Sequence, residues 1–105
     1  MAAQMRELSQ LTLSVAGTRQ RISSSQIIAY SVLVTAASTN TGSVVVGDSS
    51  VTATNAGAIL SAGKSFQFGP IISSSGGAEK IDLNQIYWDG TSSGDKISVS
   101  YSVIA

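Results

Sequence analysis

"KISVSYSVI", residues 96–104, alternates without a break: Ile97, Val99, Tyr101 and Val103 share one side, and Ser98, Ser100 and Ser102 share the other. Successive strand side chains point to opposite faces, so this period of two marks a β-strand with one apolar and one hydroxyl face. Upstream, "KIDLNQIYWDG" (80–90) places Ile81 and Leu83 on one parity and Ile86 and Trp88 on the other, which predicts a bend or bulge near Asn84-Gln85. "DGTSSGD" (89–95) then reads as a turn. "AILSAGKSFQFGP" (58–70) reads as strand, Ala-Gly turn, strand, with Phe66 and Phe68 on one face, ending near Pro70, which has no N–H to offer a central ladder.

The rest of the chain carries the same signal. "SVVVG" (43–47) is short and β-branched, and "GDSS" after it is turn chemistry, since Asp48 can bond its own backbone. "SVTAT" (50–54) resumes the strand pattern and "NAG" (55–57) breaks it. "QIIAYSVLVT" (26–35) is apolar enough for a central strand buried on both faces. "QLTLSVA" (10–16) sets Leu11, Leu13 and Val15 against Thr12 and Ser14. "SSSGGAE" (73–79) reads as a flexible loop. Seven to nine short strands with regular turn signals predict an all-β fold, a single small antiparallel sandwich or barrel over residues 11–105. Residues 1–10 have neither a capping pattern nor an apolar stripe and are expected as an extended N-terminal arm.

Composition narrows the chemistry. The chain has 105 residues, 43% hydrophobic and only 11% charged, with zero formal net charge and no cysteine or histidine. Twenty serines and eight threonines supply the polarity that charges usually supply. Disulfides, thiolate metal sites and the Ser-His-Asp or Cys-His arrangements cannot be built from these residues. A Lys64-Ser65 dyad is geometrically poor, because neighbours on a strand face opposite ways. "AGKS" (62–65) has Ala58 where a phosphate-binding loop needs glycine. Asp89 and Asp95 flank hydroxyls that could wrap calcium, but turn chemistry accounts for the same residues. No enzyme activity, cofactor or metal is expected.

The opening "MAAQMRELSQ" lacks a signal-peptide apolar core, and the longest apolar run falls short of the ~18 residues of a membrane span. No membrane partner is therefore expected, and the chain reads as made in the cytoplasm. Arg6, Arg19 and Arg21 oppose only Glu7 in the first 21 residues, a mild basic bias without the interleaved aromatics of a nucleic-acid groove. No nucleic-acid partner is expected. Met5, Arg6, Leu8, Arg19 and Arg21 are the candidate partner-binding residues, an arm that swaps between copies or docks on another protein. Tyr87 and Trp88 are the candidate exposed aromatics; being adjacent, one faces the core and the other a partner or a sugar.

The ordered set Asn40, Gly42, Val44, Val46, Gly47, then Gly57, Leu60, Gly63, Ser65, then Ile86, Tyr87, Asp89, Gly90, then Gly94, Asp95, Tyr101 resembles small β-rich virion proteins of tailed bacteriophages. The resemblance covers roughly residues 18 to 103. It implies a non-enzymatic virion structural protein, foremost a capsid decoration (cement) protein on the outside of the head that stabilises subunit seams. The major capsid protein or other virion proteins would be its partners, and homotrimers its expected state. A neck or tail adaptor, or a tail-fibre-associated protein, is the alternative within that group. A carbohydrate-binding β-module using Tyr87 or Trp88 is the alternative from another class.

Overall fold

Along the chain, the computed structural model describes residues 3–8, 10–54, 57–69 and 80–104. Among them run eleven strands: β1 (Ala3–Glu7), β2 (Leu11–Thr12), β3 (Gln20–Arg21), β4 (Ile28–Ala29), β5 (Ser31–Ala36), β6 (Val44–Gly47), β7 (Ala58–Leu60), β8 (Ser65–Phe68), β9 (Ile81–Asp82), β10 (Tyr87–Gly90) and β11 (Lys96–Ile104). Every pairing is antiparallel. The first sheet has the order β1-β11-β5-β8, with β2 also on β11; the second is β3-β10-β6-β7; β4 and β9 make a small third sheet. This is a small β-sandwich, as the alternation predicts. The strand number exceeds the expected seven to nine because β2, β3, β4 and β9 have two residues each, too short to show a period.

The alternation of β11 is realised in full on its buried side. Ile97, Val99 and Tyr101 are buried, while Ser98 is exposed and Ser100 and Ser102 are partly so. Beside it, Val32, Val34 and Ala36 of β5 face the same core. Leu33 is 37% exposed, so β5 is central but buried on one face only, contrary to the two-sided burial expected of residues 26–35. β6 is buried on both faces: Val44 and Val46 enter the main core, and Val45 is buried on the other side. The chain after β6 covers it. Asp48 Oδ1 accepts the N–H of Ser50 at 2.8 Å and the Asp48 carbonyl accepts the N–H of Val51 at 3.1 Å, a tight turn that starts the return of Val51, itself buried, towards the sheet. Residues 51–54 therefore form a packed loop and not the strand expected of "SVTAT".

Gly57 lies close against β6. A Cβ there would lie 2.5 Å from the Val46 carbonyl oxygen and 3.0 Å from Val45 Cγ1. Backbone cannot yield as a side-chain tip can. Gly57→Ala is expected to cost about 1–3 kcal/mol, as overpacking does, read as a lower urea midpoint with an unchanged slope.

Two connections expected as turns within one sheet are corners between sheets. Residues 61–64, with Gly63 at φ 79°, lead from β7 in the second sheet to β8 in the first. Residues 91–95, with Gly94 at φ 90°, lead from β10 in the second to β11 in the first. Both glycines supply the left-handed backbone that such corners need. The parity switch at residues 84–85 is a 3-10 turn, Leu83–Gln85, whose N-cap Asp82 accepts the Asn84 N–H at 3.1 Å. It puts both Leu83 and Trp88 inside. Val15 is 56% exposed in the loop after β2, because the strand ends at Thr12. The "SSSGGAE" segment and Pro70 lie outside the described residues.

Residues 1–10 are not a free arm where they are described. β1 pairs with β11 from Ala3↔Ile104 to Glu7↔Ser100, and β2 pairs Leu11↔Ile97 and Thr12↔Lys96. From Glu7↔Ser100 to Leu11↔Ile97 the register shifts by one residue. The N-terminal segment is thus an edge of the first sheet, interrupted once.

Candidate partner-binding surfaces

Outward-pointing side chains of the first sheet form a face with few charges. Ser31, Leu33 and Thr35 of β5 lie between Ser98, Ser100 and Ser102 of β11 and Ser65 and Gln67 of β8, with Met5 and Glu7 on β1. The hydroxyls bond one another across the strands: Ser31 Oγ to Ser102 Oγ at 2.6 Å, and Thr35 Oγ1 to Ser65 Oγ at 2.8 Å. At one end the Lys96 ammonium donates to Thr12 Oγ1 at 3.3 Å. Met5, 68% exposed, and Leu33 are the large apolar groups on this face. A surface of this kind is inexpensive to cover, since paired hydroxyls leave few stranded donors and there are few charges to desolvate.

The sandwich also has open strand edges. β8 and β7 end their sheets on the side where residues 61–64 join them, with Phe66 and Ile59 exposed there. Phe66 and Phe68 stack edge to face with centroids 4.8 Å apart, so the expected shared face is observed. β1 and β3 end the two sheets on the other side.

The candidate residues separate between these features. Met5 and Arg6 are exposed on β1, where Arg6 donates to Gln4 Oε1 at 3.3 Å, and Leu8 packs partly against the core. Arg19 is exposed just before β3. Arg21, on β3, lies against Tyr87: its Nε donates to the tyrosine hydroxyl at 2.8 Å and its guanidinium carbon is 5.5 Å from the ring centre. Arg21 and Tyr87 are therefore one unit, which periodicity alone did not disclose.

Trp88 requires a correction. As a candidate exposed aromatic it is excluded, because its side chain is 0% exposed in the centre of the core. β10 pairs Trp88 with Val46, and the inward parity of Val46 carries the indole inside. Tyr87, on the outward parity, is half-buried, with ring and hydroxyl engaged by Arg21. A sugar-stacking platform loses its indole.

The four aspartates are committed to the fold. Asp89, buried, accepts the N–H groups of Gly17 at 3.0 Å and Gly90 at 2.7 Å. Asp95, buried, accepts from Thr41 N at 3.0 Å through Oδ1 and from Gly42 N at 2.9 Å through Oδ2. The two carboxylates thus fasten separate loops, and their oxygens are already engaged by backbone N–H groups, which weighs against the calcium reading of residues 89–95. Asp82 holds the 3-10 turn and also accepts the N–H of Ile27 at 3.3 Å. The Ser50 hydroxyl, together with the Ser50 N–H, holds the Asp48 carboxyl below its ordinary range. These carboxylates act as caps for backbone amides; the bonds of Asp48 to Ser50 and of Asp82 to Asn84 are local, while those to Gly17, Ile27, Thr41 and Gly42 join distant segments.

No family model, curated protein or solved structure matches the chain.

Proposed function

We propose that the protein is a non-enzymatic virion assembly protein, a capsid decoration protein that binds the outside of a tailed-phage head and holds subunit seams. The observation that carries the reading is the outward face of the first sheet, lined by Ser31, Thr35, Ser65, Ser98, Ser100 and Ser102 with Met5 and Leu33 exposed among them. Such a face offers area without reactive groups. The resemblance to phage virion proteins supplies the setting, the major capsid protein as partner, and homotrimers as the state.

The mechanism follows from the surface chemistry. A partner laid on this face buries apolar area at Met5 and Leu33 and exchanges water for hydroxyl contacts, each modest in free energy. Copies linked to one another on a repeating shell bind multivalently, so weak single contacts sum to stable attachment.

Quantitative mass spectrometry of purified particles from the source measures the copy number. A number comparable with that of the major capsid protein is the expected result. A few copies per particle would move the protein to the neck or tail. Its absence from particles would end the virion reading.

A further inference from the structure

We infer that β1 is an exchangeable strand, and that the edge of β11 from Ser100 to Ile104 accepts the β1 of a second copy of this chain in place of its own. The first observation is how β1 is held. Gln4, Met5, Arg6 and Glu7 are all exposed, although the strand completes a sheet. Its attachment is the main-chain ladder from Ala3↔Ile104 to Glu7↔Ser100, continued by Leu8 N–H donating to the Val99 carbonyl at 3.1 Å. Among the described side chains of this segment, Leu8 alone adds core contact. A ladder of backbone bonds plus one leucine is equally satisfied by the same residues from another copy.

The second observation is the acceptor. Without β1, β11 would present "SYSVI", residues 100–104, as an edge that carries no charge and no proline. Such an edge is a template for any strand that fits. The one sequence shown to fit it is that of β1. Once seated, β1 turns Arg6 and Glu7 into the outermost strand, and charged side chains there discourage further addition.

The third observation is the joint. The register shifts by one residue between Glu7↔Ser100 and Leu11↔Ile97, so the β1 ladder is separate from the β2 ladder and can open without disturbing it. Closed and exchanged forms contain the same contacts. The balance is set by the concentration of neighbouring copies against the effective concentration of the chain's own strand. Zero formal net charge places little repulsion between copies. Crowding on a surface would favour exchange; the inference itself rests on β1 and β11 and not on where the protein resides.

The chain has no cysteine, so introduced thiols report cleanly. Since Leu8 and Val99 form a hydrogen-bonded pair, Glu7↔Ser100 is the adjacent non-bonded pair. Its Cα atoms lie at the close spacing that suits a disulfide. Full-length Glu7→Cys and Ser100→Cys proteins are refolded together at high concentration under reduction, then oxidised, beside a Glu7→Cys/Ser100→Cys double variant. Peptide mass spectrometry identifies the bonds. A 7–100 disulfide in the mixture of single variants is the expected result, since there it can only join two copies. If the double variant forms the 7–100 bond within one chain while the mixture forms none, exchange is overturned. A double variant that forms no 7–100 bond at all overturns it as well, by removing the register on which it stands. Either result is independent of copy number on particles.

Discussion

Trp88→Ala is expected to destabilise the protein by about 3–5 kcal/mol, the range for deleting a large aromatic from a packed core. The indole is the largest fully buried side chain, 0% exposed, and the core it occupies joins Val32, Val34 and Val99 of one sheet to Val44 and Val46 of the other. For a domain whose whole stability is on the order of 5–15 kcal/mol, that loss takes the fold to or past its limit. Trp88→Phe should cost far less. Trp88 Nε1 is buried without a hydrogen-bond partner among the described residues, and an unmade bond of that kind carries a penalty of about 1–3 kcal/mol. Phenylalanine removes the orphan donor while leaving a smaller void. Urea titrations followed by far-ultraviolet circular dichroism separate the two variants, since both lose the one tryptophan. Equal destabilisation by alanine and phenylalanine would show that the N–H is paired after all. Blue-shifted emission of the wild-type protein, unchanged by added glycans, is the corresponding optical result.

How much of this was legible in the sequence depends on the length of each signal. β11 is nine residues long, and its alternation identified the buried set Ile97, Val99 and Tyr101 directly. The parity switch between Leu83 and Trp88 located a bend to within a residue of the 3-10 turn. The same reasoning misassigned the burial of β5 and made no statement on that of β6. Both are rich in valine, and nothing local states that Val45 is buried with Gly57 beside it while Leu33 stays exposed. Burial on the second face comes from tertiary contact, which a two-residue period does not encode. The corners at residues 61–64 and 91–95 failed for a related reason. Their glycines announce a turn, but whether a turn pairs its two strands or sends them to different sheets is decided by the strands' other partners.

The candidate surface was partly legible. Serines at every second position of residues 98–102 pointed to a hydroxyl face, and β5 and β8 extend it with Ser31, Thr35 and Ser65. The hydroxyl pairs join residues 71 and 30 positions apart, beyond the reach of any local pattern. The pairing of Arg21 with Tyr87 across 66 positions is of the same kind. The arm differs most from expectation. "MAAQMRELSQ" carries no period, so only the open edge of β11 makes a strand of its residues 3–7. Nothing in residues 1–10 themselves announces that partner.

Asp95→Asn tests whether the turn before β11 holds by charge or merely by shape. Asp95 is 5% exposed, and its two oxygens receive the N–H groups of Thr41 and Gly42 at 3.0 and 2.9 Å. Next to it, the side chain of Asn40 clasps the backbone of Lys96 both ways: Nδ2 donates to the Lys96 carbonyl at 2.8 Å, and Oδ1 accepts the Lys96 N–H at 2.8 Å. The loop at 40–42 is thus bolted to the start of β11 by side chains standing in for a strand. Asparagine keeps the size of the carboxylate but offers one acceptor oxygen, so an amide NH2 must face a backbone N–H. Loss of one charge-assisted bond and stranding of its donor are expected to cost about 2–4 kcal/mol. The deficit should be local before it is global: the amides of Thr41 and Gly42 lose hydrogen-exchange protection while those of β5 keep theirs. Asp48→Asn is the matching control, because its carboxylate caps an exposed turn made by Ser50 two residues away, and its effect should be small, as for most surface substitutions. Similar losses from both variants would mean that Asp95 is no more than another turn acid. A large loss at Asp95 alone would establish the bolt between residues 40–42 and 95–96 as what fixes where β11 begins, and with it the register of the strand on which β1, β2 and β5 all depend.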